Sequence, residues 1–486
     1  MNFSIIKRVL GWILLFEAIF FLVPMITAIV YWESAFFSFM ITMFICIIIG
    51  ILCLIGKPKN NTIYAKEGFV IVALCWIVIS IFGALPFVFS GTIPNYIDAL
   101  FETVSGFTTT GASIISADYG NGLGVEALPK SILMWRSFTH WVGGMGVLVF
   151  IIAFLPLSGA RNVHIMKAES PGPVVSKLVP KVRTTALILY AIYFLLTLIQ
   201  FLLLLAGNMS VFDALNTAFA TAGTGGFAIK SDGFAGYSTY LQWVVTIFML
   251  IFSINFNSYY MLFKRRWKEI LTTEVKWFLI IVGAAIALVT ANVFFSGSLS
   301  SWWDSLTHSA FSVATVVSTT GFATENFDLW PAFSKVILVL LMFMGACAGS
   351  TGGGMKVSRF LILGKSTSNE MRKMLHPKQI RRITVDGKVV EDDVVRAVYG
   401  FVLAYVLIFI VSLLLISLEG KDMVTNFTSV TATLNNIGPG LSEVGPAGSY
   451  AGFTWGSKLV FIFDMLAGRL ELFPMIFLLA PTTWKK

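Results

Sequence analysis

Four short stretches of this chain set glycine beside hydroxyl or amide side chains within otherwise apolar sequence. They are Thr108-Thr109-Thr110-Gly111, Gly223-Thr224-Gly225-Gly226, Ser318-Thr319-Thr320-Gly321 and Asn435-Asn436-Ile437-Gly438. Glycine allows backbone angles that a side chain forbids, so carbonyl oxygens can be turned toward a common axis. A ring of such carbonyls can replace the hydration shell of a K+ ion. Thr and Asn side chains can brace such a loop from behind or add ligands. The stretches contain no acid, which suits a large monovalent cation held by dipoles and suits Ca2+ or Mg2+ poorly. The second and third copies align best, because Phe227 coincides with Phe322 and Ala228 with Ala323; the fourth rests on Gly438 and the Asn pair before it. One Thr-Thr-Gly alone reads equally well as a small-residue packing patch between membrane helices. Four copies in equivalent surroundings weaken that reading.

Those surroundings repeat. Two long apolar runs, residues 9–32 and 35–56, come first and form a hairpin; the first is too long for a signal-peptide core and lacks a small-residue cleavage site. One plan then recurs four times: an apolar span, a shorter amphipathic segment, a Gly/Thr or Asn stretch, a polar loop and a second apolar span. Leading spans cover residues 67–90, 184–206, 274–295 and 392–418, and trailing spans begin near residues 130, 239, 332 and 452. Each leading and trailing span is long enough to cross about 30 Å of hydrocarbon, whereas a dozen helical residues between them are not. The middle segments open on Asp98, Asp213, Asp304 and Asp422, where a helix N-terminus favours negative charge. Four re-entrant loops follow, since irregular backbone survives at membrane depth only where protein or a wet cavity surrounds it. The division expected is 1–60 hairpin, then repeats over 61–165, 166–270, 271–390 and 391–486.

With 57% hydrophobic and 12% charged residues and a mean hydropathy of +0.84, the chain is an all-α polytopic membrane protein and not a soluble domain. The net charge of +9 does not mark a nucleic-acid partner. Basic residues gather in a few short loops, at Lys57, Lys59 and Lys66, from Arg161 through Lys167, Lys177 and Lys181 to Arg183, from Lys264 to Lys276, and from Lys365 to Lys388. Loops between them, such as residues 113–129, have none. That alternation is a positive-inside pattern and puts both termini in the cytoplasm. Cys46, Cys53, Cys75 and Cys347 lie in apolar segments and read as packing residues. His140, His164, His308 and His376 share no spacing that would suit a metal or a catalytic base.

Two further features carry chemistry. Residues 345–356, GACAGSTGGGMK, put Gly345, Gly349, Gly352, Gly353 and Gly354 in the middle of the third trailing span. The phosphate-binding pattern G-x-x-x-x-G-K-S/T is not satisfied, and apolar runs on both sides place the loop inside the membrane, where it breaks the helix. Arg469, in FDMLAGRLELFPMI, is a charge inside an apolar span. Such a charge faces a cavity or a partner; the alternatives are that it snorkels to the interface or pairs with Glu471 or Asp464. Arg136 and Lys356 carry the same ambiguity.

The motifs SGFTTTGAS, GTGGFA, STTGFAT, LNNIGPG, GACAGSTGGGMK and AGRLE together resemble the Trk/Ktr/HKT superfamily of K+ transporters over nearly the whole chain. The leading hairpin and the AESPGP loop at residues 168–173 are similar to its TrkH branch. The resemblance implies four membrane-pore-membrane units around a pseudo-fourfold pore and K+ as the transported ion. It implies a selectivity filter at Thr109, Thr110, Gly111, Gly225, Gly226, Thr320, Gly321, Ile437 and Gly438. It also implies a gate made by the 345–354 loop and Arg469, a homodimer in the bacterial inner membrane, and a cytoplasmic TrkA-type ring that binds dinucleotides. All four filter positions keep glycine, so nothing points to Na+-preferring variants with serine at the first. This chain has no nucleotide motif of its own. An enzyme would need clustered titratable groups at the polar stretches, which hold Gly, Thr, Ser and Asn instead. A Na+- or H+-coupled transporter remains the alternative, although its usual intramembrane acid is not evident.

Overall fold

The structure is a computed structural model and describes residues 1–56, 65–146, 182–377 and 382–484. Outside these lie the 168–173 loop, His164, the basic residues Lys57, Lys59, Arg161, Lys167, Lys177, Lys181, Lys378 and Arg381, and the repeat boundaries at 60 and 165. The regular structure of the described chain is helical apart from one two-residue hairpin pairing, Thr384–Val385 with Lys388–Val389, and an isolated bridge between Met344 and Met355. Among the described residues, six helices are long and apolar enough to cross a membrane: Phe3–Val30, Ala35–Leu54, Lys66–Phe89, Arg183–Ala206, Thr273–Phe295 and Asp392–Ser417. The first two are the hairpin and the other four are the leading spans.

The hairpin helices approach closely because small residues meet: a Cβ on Gly11 would lie 2.8 Å from the Gly50 carbonyl oxygen. Its turn also docks on the first repeat. Glu33 accepts from the amides of Lys130 and Ser131 at 2.6 and 2.9 Å, satisfying donors that open the first trailing helix.

Four short helices occupy the middle segments: Tyr96–Phe107, Val211–Gly223, Trp302–Val317 and Met423–Leu434. Asn95, Ser210, Ser301 and Asp422 cap them by accepting amide bonds, and Asp98, Asp213 and Asp304 sit in first turns, so both side-chain types favour a helix start. Asp422 therefore caps from outside its helix, and bonds from the Thr425 hydroxyl and amide hold its carboxyl below the usual carboxylate range.

Each trailing helix packs on the short helix of its own repeat and on that of the next. The first, Lys130–Gly144, touches Tyr96–Phe107 and Val211–Gly223; the fourth, Trp455–Arg469, touches Met423–Leu434 and returns to Tyr96–Phe107. The cycle therefore closes, with four units around one axis.

The expectation of uninterrupted trailing spans needs correction in the first, second and fourth repeats, while the third breaks where its glycine-rich loop predicts. The first stops at Gly144 after 15 residues. Thr239–Ser253 turns by 92° into Phe256–Phe263, where Asn255 caps a new helix. Ala332–Phe343 runs into the glycine-rich loop before Val357–Leu375. The fourth stops at Arg469 and restarts at Phe473 after left-handed Glu471 and Leu472. Fifteen residues rise only about 22 Å, so each of these helices ends at depth, and the breaks collect beneath the short helices.

Candidate functional site

All four short helices end in the same way. The amide two residues before each glycine bonds a carbonyl three residues back: Thr109 to Gly106 (3.1 Å), Thr224 to Thr221 (3.0 Å), Thr319 to Val316 (3.1 Å) and Asn436 to Thr433 (3.2 Å). The next amide reaches five back: Thr110 to Ser105 (2.9 Å), Gly225 to Ala220 (2.9 Å), Thr320 to Thr315 (2.8 Å) and Ile437 to Ala432 (2.9 Å). This is a Schellman closure, which needs one left-handed residue. Thr109, Thr224, Thr319 and Asn436 supply it with φ of 56°, 56°, 60° and 56°. A β-branched residue held there costs about 1–3 kcal/mol and persists only where its surroundings over-determine it. The helix C-termini, with their partial negative charge, thus all aim at the glycines.

The glycines form a ring. Gly111, Gly226, Gly321 and Gly438 have φ of +76°, +72°, +91° and +91°, the region that glycine alone enters without strain. A Cβ on Gly111 would stand 1.9 Å from the carbonyl oxygen of Gly225, and one on Gly226 would stand 1.9 Å from that of Thr320. One on Gly321 would stand 2.3 Å from that of Ile437, and one on Gly438 2.6 Å from that of Thr110. Each glycine therefore abuts the carbonyl that precedes the next glycine, and the fourth returns to the first. All four line a single vestibule with Ser113, Phe227, Phe322 and Pro439.

Buried side chains brace the ring. Thr108 shares a hydroxyl bond with Thr110 at 2.8 Å, and Ser318 with Thr320 at 2.7 Å. Asn436 donates through Nδ2 to Thr110 Oγ1 at 3.0 Å and to Met465 O at 2.8 Å, tying the fourth repeat to the first. His140 stands between the first two: Nδ1 faces Gly106 O at 2.7 Å, and Nε2 accepts from the Phe227 amide at 3.2 Å. Those partners require the neutral ring with its proton on Nδ1. Tyr450 donates to Gly438 O at 2.9 Å.

The vestibule wall holds a buried ion pair. Arg136 Nε donates to Glu102 Oε1 at 2.8 Å, and Glu102 also accepts from Ser113 Oγ and the Ile114 amide at 3.0 Å each. The guanidinium lies 4.1 Å from the Phe227 ring centroid and reaches Ala228 O at 3.3 Å. The pair thus fixes the segments that follow Gly111 and Gly226. Removing one partner strands a buried charge, so Glu102→Ala should cost about 3–5 kcal/mol of stability. Glu102→Ala/Arg136→Ala should cost less than the sum of the single changes, as a thermal-unfolding double-mutant cycle in detergent would measure.

Beneath the ring, the glycine-rich loop is held at several points. Its neck closes through Gly345 N to Met355 O at 2.9 Å, and Glu274 accepts from the Ala348 and Ser358 amides at 2.8 and 3.0 Å. Lys356 Nζ, buried, donates to the Gly352 and Gly353 carbonyls. Cys347 N bonds Ser253 O at 3.0 Å and Phe256 N bonds Gly349 O at 3.0 Å, using groups freed by the break in the second trailing helix. Gly353 N donates to Thr319 Oγ1 at 2.6 Å.

Arg469 faces the same place. It donates to Thr351 O at 2.8 Å and to Gly143 O and Gly144 O at 2.6 Å each, capping the cut end of the first trailing helix from the fourth. It lines a cavity with Gly349, Gly352, Gly353, Gly354 and Lys356; Gly345 sits at the loop's neck instead. Of the two acids considered as its partners, Glu471 pairs with Arg359 and Asp464 accepts from Ser412 Oγ at 2.7 Å.

The structure thus gathers Thr110, Gly111, Gly225, Gly226, Thr320, Gly321, Ile437 and Gly438 into one ring, with Thr109 in the left-handed turn that leads into it and the loop glycines and Arg469 below. Sequence reasoning placed Asn436 in the fourth stretch and expected Asn to brace such a loop, but it did not single out His140, Tyr450, Glu274 or Glu102 for these positions. Only Glu102 left a signal, as an acid in an apolar segment that could have been matched with Arg136.

This fold and ring define a membrane protein of the cation-transport class. The family model TrkH, described as cation transport protein, matches residues 35–486, and the chain belongs to that family. It is 36% identical over 497 residues to the Trk system potassium uptake protein TrkH of Escherichia coli (strain K12), with 100% of both chains covered. It is 32% identical to the Trk system potassium uptake protein TrkG of the same strain, covering 99% of this chain and 98% of that one. The crystal structure of the potassium transporter TrkH from Vibrio parahaemolyticus superposes with a TM-score of 0.88 at 33% identity over 100% of both chains. These relatives are transport proteins, not enzymes.

Proposed function

We propose that this chain takes up K+ across the bacterial inner membrane by a channel-like route. Dehydrated K+ is held by carbonyls of Thr109, Thr110, Gly111, Gly225, Gly226, Thr320, Gly321, Ile437 and Gly438. The loop glycines Gly345, Gly349, Gly352, Gly353 and Gly354, with Arg469, form the gate below. The observation that carries this reading is the closed contact from each glycine to the carbonyl before the next. Four helix C-termini aimed at that ring add to the field that favours a cation. The names of the relatives, potassium uptake proteins of a Trk system, agree with the ion.

The chain acts as a homodimer with both termini cytoplasmic, and a TrkA-type nucleotide-binding ring docks on its cytoplasmic face. The repeats divide near residues 60, 165, 270 and 390. Na+ or H+ coupling has less support: Glu17 and Asp464, buried acids in apolar helices, line neither the vestibule nor the cavity beneath the ring, while Glu102 in the vestibule wall and Glu471 beside the cavity are paired with Arg136 and Arg359.

The test is radioactive Rb+ uptake into K+-loaded liposomes holding the purified protein. Uptake should occur, with K+ competing at least about tenfold better than Na+, a discrimination of about 1.4 kcal/mol. Equal competition by Na+, or uptake that requires a Na+ or H+ gradient, overturns the reading.

A further inference from the structure

Resting on the assignment of the ring as filter and the loop as gate, we propose that the seated gate loop is itself a support of the filter. Thr319 and Asn436 are the positioning residues that carry this tie. The four left-handed residues beneath the glycines are equivalent in backbone and unequal in what their side chains do. Thr109 Oγ1 is buried with no hydrogen-bond partner, and Thr224 Oγ1 turns back to Gly223 O at 2.6 Å. Thr319 instead accepts the Gly353 amide at 2.6 Å, directly from the loop.

Asn436 takes part on the fourth side. Its Nδ2 holds Thr110 Oγ1, next to Gly111, and Met465 O in the helix that carries Arg469. Its Oδ1 is buried and has no hydrogen-bond partner. A Cβ on Gly353 would meet Asn435 O at 2.7 Å and Asn436 Oδ1 at 3.2 Å, and one on Gly468 would meet that same oxygen at 2.9 Å. A Cβ on Gly352 would stand 3.0 Å from Ser318 O. Loop, arginine helix and filter therefore meet in van der Waals contact at Asn436, with glycines where they touch.

The consequence is a coupling in both directions. Residues in the left-handed region keep that conformation only while their surroundings hold them, and the loop is part of the surroundings of Thr319. Lifting the loop removes one bond that orients Thr319, beside the Thr320 carbonyl of the ring. By linkage, an ion that favours the ordered ring also favours the seated loop.

The experiment compares basal Rb+ flux and K+ over Na+ preference in liposomes for wild type, Thr319→Val and Thr319→Ser, with Gly226→Ser and Arg469→Ala as references. Thr319→Val, which keeps the shape and loses the acceptor, should raise basal flux and lower K+ preference together. Each should change about fivefold, the factor one net hydrogen bond carries. Thr319→Ser should restore both. A change in preference at unchanged flux, or in flux at unchanged preference, overturns the tie while the filter and gate assignments stand. If Gly226→Ser leaves preference intact, the filter assignment itself fails and the tie falls with it. Hydrogen exchange of wild-type residues 345–356 requires no substitution: exchange should be slower in K+ than in choline, and equal exchange overturns the coupling.

Discussion

Gly226→Ser should abolish the preference for K+ over Na+ while leaving the protein folded. The added Cβ would stand 1.9 Å from the Thr320 carbonyl oxygen and 3.0 Å from the Gly321 carbonyl carbon. Both are backbone of the next repeat, so no side chain can swing away. The ring must open at that point or Gly226 must leave φ +72°. Either displacement carries about 1–3 kcal/mol, a factor of about five to 150 in ion discrimination. The same geometry ranks the other positions. Gly111, at 1.9 Å from Gly225 O, should be as intolerant as Gly226; Gly321, at 2.3 Å from Ile437 O, less so; and Gly438, at 2.6 Å from Thr110 O, least. Gly283→Ser is the control, because a Cβ there meets nothing within 4 Å and its flux should match wild type. Competition of Rb+ uptake by K+ and Na+ reads the whole series. Equal tolerance at Gly226 and Gly283 would show that the ring does not select.

How far the sequence carried this picture differs from element to element, for physical reasons. The leading spans were legible because an unbroken run of 18 or more apolar residues suits a membrane-crossing helix and little else. The ring glycines were legible because a positive φ leaves glycine as the unstrained choice. Thr109, Thr224 and Thr319 were not legible as left-handed residues, since β-branched side chains avoid that region and only the packed assembly holds them there. The trailing-helix breaks escaped because hydropathy continues across them: Phe252 and Phe256 flank the turn at Ile254 and Asn255, and both are buried. Only the glycine-rich third break announced itself. His140 to Phe227, Asn436 to Thr110 and Arg469 to Gly143 join residues from different repeats. Such pairs have no local spacing to betray them, and they arise only when the four units close around the axis.

Arg469→Ala should raise basal Rb+ flux by about tenfold or more, and Arg469→Lys decides why. The guanidinium could restrain flux through its charge or through its three bonds, which join Thr351 of the loop to Gly143 and Gly144 of the first trailing helix. A unit charge about 8 Å from a permeating K+ at an effective dielectric of about 20 contributes about 2 kcal/mol of repulsion. That is a factor of about thirty in occupancy. The bonds contribute on a similar scale, since hydrogen bonds to a charged group are worth about 1.5–3 kcal/mol each. Lysine keeps the charge and cannot reproduce the planar fork that reaches two helix-end carbonyls and the loop at once. A charge barrier therefore leaves Arg469→Lys with flux near wild type and Arg469→Gln leaking like Arg469→Ala. A purely mechanical tie makes Arg469→Lys leak as well. The geometry favours the charge: Lys356, a buried cation lining the same cavity, already grips the loop through the Gly352 and Gly353 carbonyls. The loop thus has another anchor when Arg469 is shortened, and the fixed positive field under the ring is what the alanine variant loses. Flux measured across Ala, Gln and Lys at position 469, at low and high ionic strength, separates the two, because salt screens a charge barrier and leaves a mechanical one unchanged.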